Sequence, residues 1–500
     1  MNERPPNPGT TDSDESEQWA PVWSPAQRES FFAAIARNRR ASWQVAAICL
    51  VCSAAVAFVA AALMAPLLYA IVGLAMDLIN LAVPAPDLLG QLFDKLGPAV
   101  DSPEKLSVGS WIRLAGWAAL PGLALLALVV LALWRALGRA DELDETAMLM
   151  RGPLVSQLAE RRFTNVVAEM AIAAAIPAPR VLIAERAALN AVALGAADRA
   201  PTLIVTRRLL AALDRDEMQG VAAHLVASIA NGDLRNGRRV ATVVSLFGVL
   251  ARMATAFSDR TAARSLFALA GAALRPSQAR ARELLAQLTD PFGPPADATT
   301  TAGNETPSGQ TSTTLSVREW LWMPLAGPLA MTGFFAGIVS MFLLAPLLAL
   351  VWRRRKYLAD ATAVRLTRNP DSLARALGKM TATGSAGALA AWATHLAVVN
   401  DAGAPGTSGR GLLSASFVPF FPAPERRLRA LGQQGATVQT MRRAVPTLVW
   451  AIGVPVGALL ALLVGTLIYL LTIVSVMLSA LFTMLPAGAL HALLRWLSRS

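Results

Sequence analysis

From Val445 to Leu485 the chain carries no charged residue. A stretch this long and this apolar does not suit the core of a soluble domain. A helix crosses the hydrocarbon core of a bilayer with roughly 20 apolar residues, so the run has room for two tight spans, and no internal turn signal says whether it crosses once or twice. Further apolar runs lie between Trp43 and Ala65, Leu114 and Trp134, Val240 and Phe257 (interrupted by Arg252), and Trp320 and Trp352. Pro66 is expected to break the first, and Pro324, Pro328 and Pro346 to kink the last. With 55% hydrophobic and only 16% charged residues, an ordinary soluble enzyme is excluded. The fold class implied is an α-helical polytopic membrane protein carrying a modest polar domain.

The net charge of +12 would suit a nucleic-acid partner if it formed a basic, aromatic-interleaved groove. It does not. Arg37, Arg39 and Arg40 precede the first apolar run, Arg135 and Arg139 follow the second, and Arg353 to Lys356 follow a later one. Basic residues flanking spans mark the cytoplasmic side, while Asp77, Asp87, Asp94, Asp101 and Glu104 make the segment between the first two spans acidic and place it outside. The partner class is therefore the membrane, with no nucleic acid. Cys49 and Cys52 lie inside the first apolar run, without the solvent access or further ligands that redox or metal chemistry needs.

These features divide the chain into a disordered and amphipathic segment (1–42), a transmembrane hairpin with an external loop (43–138), a first polar block (139–239), spans enclosing a low-complexity loop at about 290–316 (240–352), a second polar block (353–444) and a C-terminal transmembrane region (445–500). In the first polar block a helical pattern from Leu154 to Ile176 is stopped by Pro177 and Pro179. Two β-like runs, Arg180 to Ala184 and Leu203 to Thr206, then flank the segment Asn190 to Gly195. Helix, strands and a further helix in that order read as an α+β domain. In the second block, Tyr357 to Met380 reads as helix, a turn at Asn369-Pro370, then helix.

The further helix of the first block carries the chemistry. Asp214 and Glu217 stand three apart before an apolar-periodic run, the signature of a capping box, and Asn231-Gly232 supplies the stop. His224 and Ser228, four apart, share one face. A zinc protease would read H-E-x-x-H here, two imidazole ligands with a general-base Glu beside the first. This chain reads His224, Leu225, Val226, Ala227, Ser228.

The order of these landmarks resembles the HtpX and CAAX prenyl endopeptidase group of membrane-embedded zinc metalloproteases. NVVAEMAIAAAIPAPRVLIAE (165–185), NAVALG (190–195), TLIVTRRLLAALDRDEMQGVAAH (202–224), IANGD (229–233), RRRKYLADATAVRLTRNPDSLARAL (353–377) and PAPERRLRAL (422–431) carry the likeness, which covers roughly residues 139–432. It implies a cytoplasmic α+β gluzincin-like metalloprotease domain in a multi-pass protein of the bacterial inner membrane. It also implies that Asn190, Ala191, Val192 and Ala193 form the edge that pairs with an extended peptide, and that Asp233 and Asp360 support the site from behind.

The same resemblance locates the departures. His224 stands at the first ligand position, Leu225 at the general base, Ser228 at the second ligand and Lys356 at the third, where the family has Glu. Zinc sites use at least three protein ligands, and an ammonium repels a dication by several kcal/mol at an effective dielectric near 20. No zinc and no other cofactor is expected, no catalytic residue is assigned, and the function implied is a pseudoprotease that binds or regulates an unknown membrane protein or peptide. The alternative is an active zinc endopeptidase in membrane protein quality control, with His395 or Asp360 filling in as ligand; a membrane scaffold is a weaker third. Lys356 itself has two readings: a cation in the vacated metal position, or, as favoured here, the last member of the stop-transfer cluster that begins at Arg353.

Overall fold

The computed structural model describes residues 28–84, 86–91, 107–148, 157–184, 189–195, 201–253, 329–339, 343–382, 397–399, 421–437 and 486–496, with scattered positions elsewhere. The expected N-terminal disorder, the low-complexity loop, His395 and most of the run from Val445 to Leu485 fall outside them.

Helix α1 (Phe31–Ile79) opens on Ser30, whose hydroxyl accepts from the Ala33 amide at 3.2 Å. It is 49 residues long and, among the described residues, is one helix long and apolar enough to cross a membrane. The expected break at Pro66 does not occur, and the amphipathic segment before Trp43 belongs to the same helix. Packing overrides the local preference. A proline costs one backbone hydrogen bond, which a neighbouring helix can compensate. Helix α2 (Val108–Met148) provides that neighbour, with Gly122 set so close to α1 that a Cβ there would collide with the Ala61 carbonyl. Further along, the Tyr69 hydroxyl donates to the Trp117 carbonyl at 3.0 Å and the two rings stack. Leu50, Val51, Phe58, Ile71 and Val72 of α1 and Leu120, Leu128 and Leu131 of α2 stay exposed. An apolar surface of this kind suits lipid rather than water.

The polar domain begins with α3 (Gln157–Ala173), followed by β1 (Arg180–Ala184), β2 (Ala191–Leu194) and β3 (Thr202–Thr206). Strand order is β1-β3-β2, with β1 parallel and β2 antiparallel to β3. All four residues of β2 are buried, without the alternation of a half-exposed strand. Short α4 (Arg207–Ala212) leads into α5 (Arg215–Ala230), which begins with the expected capping box. The Asp214 carboxylate accepts from the Glu217 amide at 2.8 Å, and Glu217 Oε2 accepts from the Asp214 amide at 3.0 Å. Gly232, at φ 76°, turns the chain into α6 (Asp233–Met253).

Helix α7 (Ala345–Thr367) runs without interruption from an apolar stretch into the polar domain. Arg368 takes the left-handed conformation at its C-cap, and Asn369 Oδ1 accepts from the Asp371 and Ser372 amides to start α8 (Pro370–Ala382). Helix α9 (Pro424–Gln433) closes the domain. One apolar cluster, with Phe163, Leu203, Val205, Val221, Leu225, Leu373 and Leu431, forms its core. A second joins α1 and α2 to α6 through Leu63, Leu133, Phe247, Leu250 and Phe335. The described architecture is thus mostly helical with one small sheet, and α5 sits between the sheet and α7.

Candidate functional site

His224 lies mid-way along α5 and is 1% exposed. Its Nδ1 is 2.8 Å from Asp360 Oδ1 on α7, and neither ring nitrogen has an aligned hydrogen-bond partner among the described residues. Arg427 of α9 forks onto the same carboxylate, Nε to Oδ2 at 2.8 Å and Nη2 to Oδ1 at 2.7 Å. Burial lowers the His224 pKa to about 4; Asp360 opposes the shift, and the cations Arg427 and Lys356 add to it. The imidazole is therefore neutral at neutral pH. Burial alone would raise the Asp360 carboxyl, but the Arg427 guanidinium holds it well below the usual carboxylate range.

Leu225 points into the apolar core of the domain, at 1% exposure. Ser228, one turn beyond His224, is buried beside Asp233 and gives it a hydrogen bond. Asp233 also accepts from Arg355 Nε at 2.6 Å, while Arg355 bonds the Asn231 carbonyl. Thus Asp360 lies beside His224 and Asp233 beside Ser228.

Lys356 requires a correction. It is not an end-of-span surface charge but a buried side chain, 3% exposed, whose Nζ donates to the Ala397 carbonyl at 2.6 Å. Trp352 and Phe421 place ring faces 5.8 and 5.5 Å from it. Because α7 continues past the apolar stretch, helical spacing puts Lys356 and Asp360 on one face toward α5, whereas Arg354 stays exposed. Burial and Arg427 lower the Lys356 pKa to about 7, against the attraction of Asp233 and Asp360.

The edge residues Asn190 to Ala193 carry a segment of the chain itself. Val192 bridges Ala397 in antiparallel sense, and the Val398 amide donates to the Ala191 carbonyl at 2.9 Å. Three successive carbonyls of that segment are gripped by three side chains. Lys356 holds Ala397, Arg427 Nη1 holds Val398 at 2.6 Å and Asn190 Nδ2 holds Val399 at 2.9 Å. Neither Arg427 nor this strap was foreseen. PERRLRAL offers three arginines, and nothing local separates the one that turns inward.

Residues 157–289 match the model of peptidase family M48. The likeness to that family is carried by this segment. The chain is similar to a protein named Protease HtpX homolog from Streptococcus equi subsp. equi, 28% identical over 218 residues, 44% of this chain and 57% of the relative. A protein of the same name from Syntrophobacter fumaroxidans is 27% identical over 311 residues, 60% of this chain and 86% of the relative. One from Streptococcus thermophilus is 38% identical over a shorter 90 residues, 18% of this chain and 30% of the relative. The chain spans a little over half the length of the first of these relatives. No solved structure matches. The M48 match ends before α7, so the residues that complete the site (Lys356, Asp360, Arg427) all lie beyond it.

The buried Lys356 has a consequence for pH. An unfolded lysine titrates near 10.4 and the folded one at about 7. As pH falls from about 10 to 7 the unfolded chain takes up a proton that the folded chain does not, so folding weakens; below about 7 both forms are charged and the effect is constant. The stability of the natural protein relative to Lys356→Met is therefore expected to rise by roughly 3–5 kcal/mol from pH 7 to pH 10. Chemical unfolding in detergent at the two pH values checks this, and parallel pH dependence of both proteins would contradict it.

Proposed function

We propose that this chain is a membrane-embedded HtpX-type homologue that has kept the protease frame without its hydrolytic chemistry, and that it holds or regulates a membrane polypeptide. The observation that carries the proposal is the cation pair around His224, Lys356 against the strap and Arg427 on both Asp360 oxygens. The donors present do not suit zinc. They are one imidazole, the Ser228 hydroxyl, an ammonium, and a carboxylate already saturated by a guanidinium, whereas zinc sites draw on at least three His, Cys or carboxylate ligands. Leu225, packed in the core, has no group to take a proton from water, and loss of a general base costs about 10²- to 10⁴-fold. The use of Asp360 as a substitute ligand would require Arg427 to leave it.

Purified protein is expected to contain well under one zinc per chain and to leave casein and unfolded membrane proteins intact. Stoichiometric zinc that disappears in His224→Ala would overturn the proposal in favour of an active endopeptidase with unusual ligands. A polypeptide partner would meet β2 through its backbone, as in strand addition, and would have to extend or displace the strap at Ala397 to Val399.

The proposed setting is a multi-pass protein with this domain in the cytoplasm. In support, Arg37, Arg39 and Arg40 precede the apolar part of α1, and the acids Asp77, Asp87 and Asp94 lie at or beyond its far end. In a background lacking Cys49 and Cys52, a cysteine at Asp94 is expected to react with an impermeant thiol reagent applied outside the inner membrane, and one at Arg208 to react only after permeabilisation. The reverse pattern would invert the topology.

A further inference from the structure

Where the N-terminal end of α1 meets α7 and α9 there is an open cavity of about 220 Å³, and its walls carry Arg37, Arg354, Arg426 and Arg429 together with Tyr357 and Gln434. No acidic residue lines it. Arg37 pairs with Glu29, which is fixed through its backbone amide to the Gln433 carbonyl at 2.8 Å. Arg354, Arg426 and Arg429 have no carboxylate within ion-pair distance among the described residues. Elsewhere in the domain the inward-facing arginines are matched: Arg355 by Asp233 and Arg427 by Asp360. The Gln434 side-chain oxygen is buried and has no partner among the described residues. Assignment of amide oxygen and nitrogen rests on the surrounding bonds, so with the amide turned over its NH₂ would add a donor to the cavity. Convergent guanidinium forks with hydroxyl and amide donors are the chemistry that binds phosphate oxygens.

The depth of the cavity narrows the source. Arg37 precedes Trp43, the first residue of the apolar run, by about 9 Å of helix rise. The headgroup layer on each side of a bilayer is roughly 5–8 Å thick. With Trp43 at the hydrocarbon edge, Arg37 lies just beyond the headgroup layer and its guanidinium can reach back to the lipid phosphates, on the side where anionic lipids meet basic pockets between helices.

We propose that the cavity between α1, α7 and α9 is a phosphate-binding site that takes the headgroup phosphate of an anionic phospholipid. The proposal uses the membrane setting of α1 but not the loss of hydrolysis, and phosphate itself can be tested without a bilayer. The site would also tether α9, which carries Arg427, to the membrane surface.

The test uses the full chain purified in mild detergent, with phosphatidylglycerol or phosphatidylcholine added and the lipid retained by the intact protein measured by native mass spectrometry. The natural protein is expected to retain phosphatidylglycerol in preference. R354Q/R426Q should weaken that retention by roughly tenfold or more. R39Q/R40Q removes the same charge from arginines that do not line the cavity and should change it little. R354K/R426K keeps the charge and should restore much of the loss, separating binding from folding; if R354Q/R426Q does not fold, R429Q carries the comparison.

In a second arm, delipidated protein is heated with and without millimolar inorganic phosphate. Phosphate protection lost in R354Q/R426Q, without preference for the anionic lipid, would uphold the phosphate site and assign it to a soluble ligand. Equal losses in R39Q/R40Q and R354Q/R426Q would reduce the effect to general surface charge and overturn the proposal. So would equal retention of both lipids with no response to phosphate.

Discussion

Replacing Arg427 with Met is expected to destabilise the domain by about 3–5 kcal/mol, the cost of leaving a buried charge without its partner. Asp360 would be left at 1% exposure with only His224 and the Lys356 ammonium near it, and the Val398 carbonyl would lose its donor. Two further readouts follow. Arg427 is one of the cations that hold the His224 pKa down, so its removal should move that pKa upward, measurable from the imidazole resonances. Pairing Arg427→Met with Asp360→Leu should recover much of the lost stability, because removal of both charges avoids the uncompensated one. If Arg427→Met costs less than about 1 kcal/mol, the range of an exposed ion pair, then the fork onto Asp360 does not hold the domain together.

The second large effect is a gain of metal. Leu225→Glu, Ser228→His and Lys356→Glu together put two imidazoles one turn apart on α5 and a carboxylate on the facing side of α7, three protein ligands with a fourth position for water. Without metal this variant should be less stable than the natural protein. It buries Glu where Leu225 packs in the core, and it adds a carboxylate near Asp233 and Asp360 in place of the ammonium they attract. Zinc should then raise its melting temperature sharply, by the equivalent of about 2.7 kcal/mol at a hundredfold excess over the dissociation constant. The double variant that retains Lys356 should bind at least about a hundredfold more weakly, since an ammonium near a dication costs several kcal/mol. Equal zinc affinity with and without Lys356 would show that its charge does not act on the metal position. Misplaced outer partners cost about 10- to 100-fold in affinity, so the gain is predicted for metal binding and not for turnover.

The parts of this architecture that could be read from sequence are those whose causes are local. The capping box at Asp214 and Glu217, the stop at Asn231-Gly232, strand Arg180–Ala184 and the turn at Asn369-Pro370 each depend on residues within a few positions of one another. Pro66 misled because its preference is local while the answer lies in α2, whose Gly122 lets the two helices close together. Lys356 misled for a related reason. Beside three arginines it has the composition of a surface cluster, and only the unbroken course of α7 turns it inward. The proximity of His224 to Asp360 was reachable through family resemblance alone. The strap at Ala397 to Val399 and its grip by Asn190 were not legible, because a contact between residues 209 apart leaves no periodic trace.

That same separation sets an order of events during synthesis. Strand β2 and the Asn190 side chain emerge from the ribosome 209 residues before the Val399 carbonyl that completes them. At about 5–20 residues per second the wait is on the order of 10–40 s. For that interval β2 presents a bare edge of buried-type residues, the kind of surface on which chains pair with one another instead of with themselves. The strap thus completes β2 late, and a nascent chain stalled before residue 397 would be one that needs a chaperone.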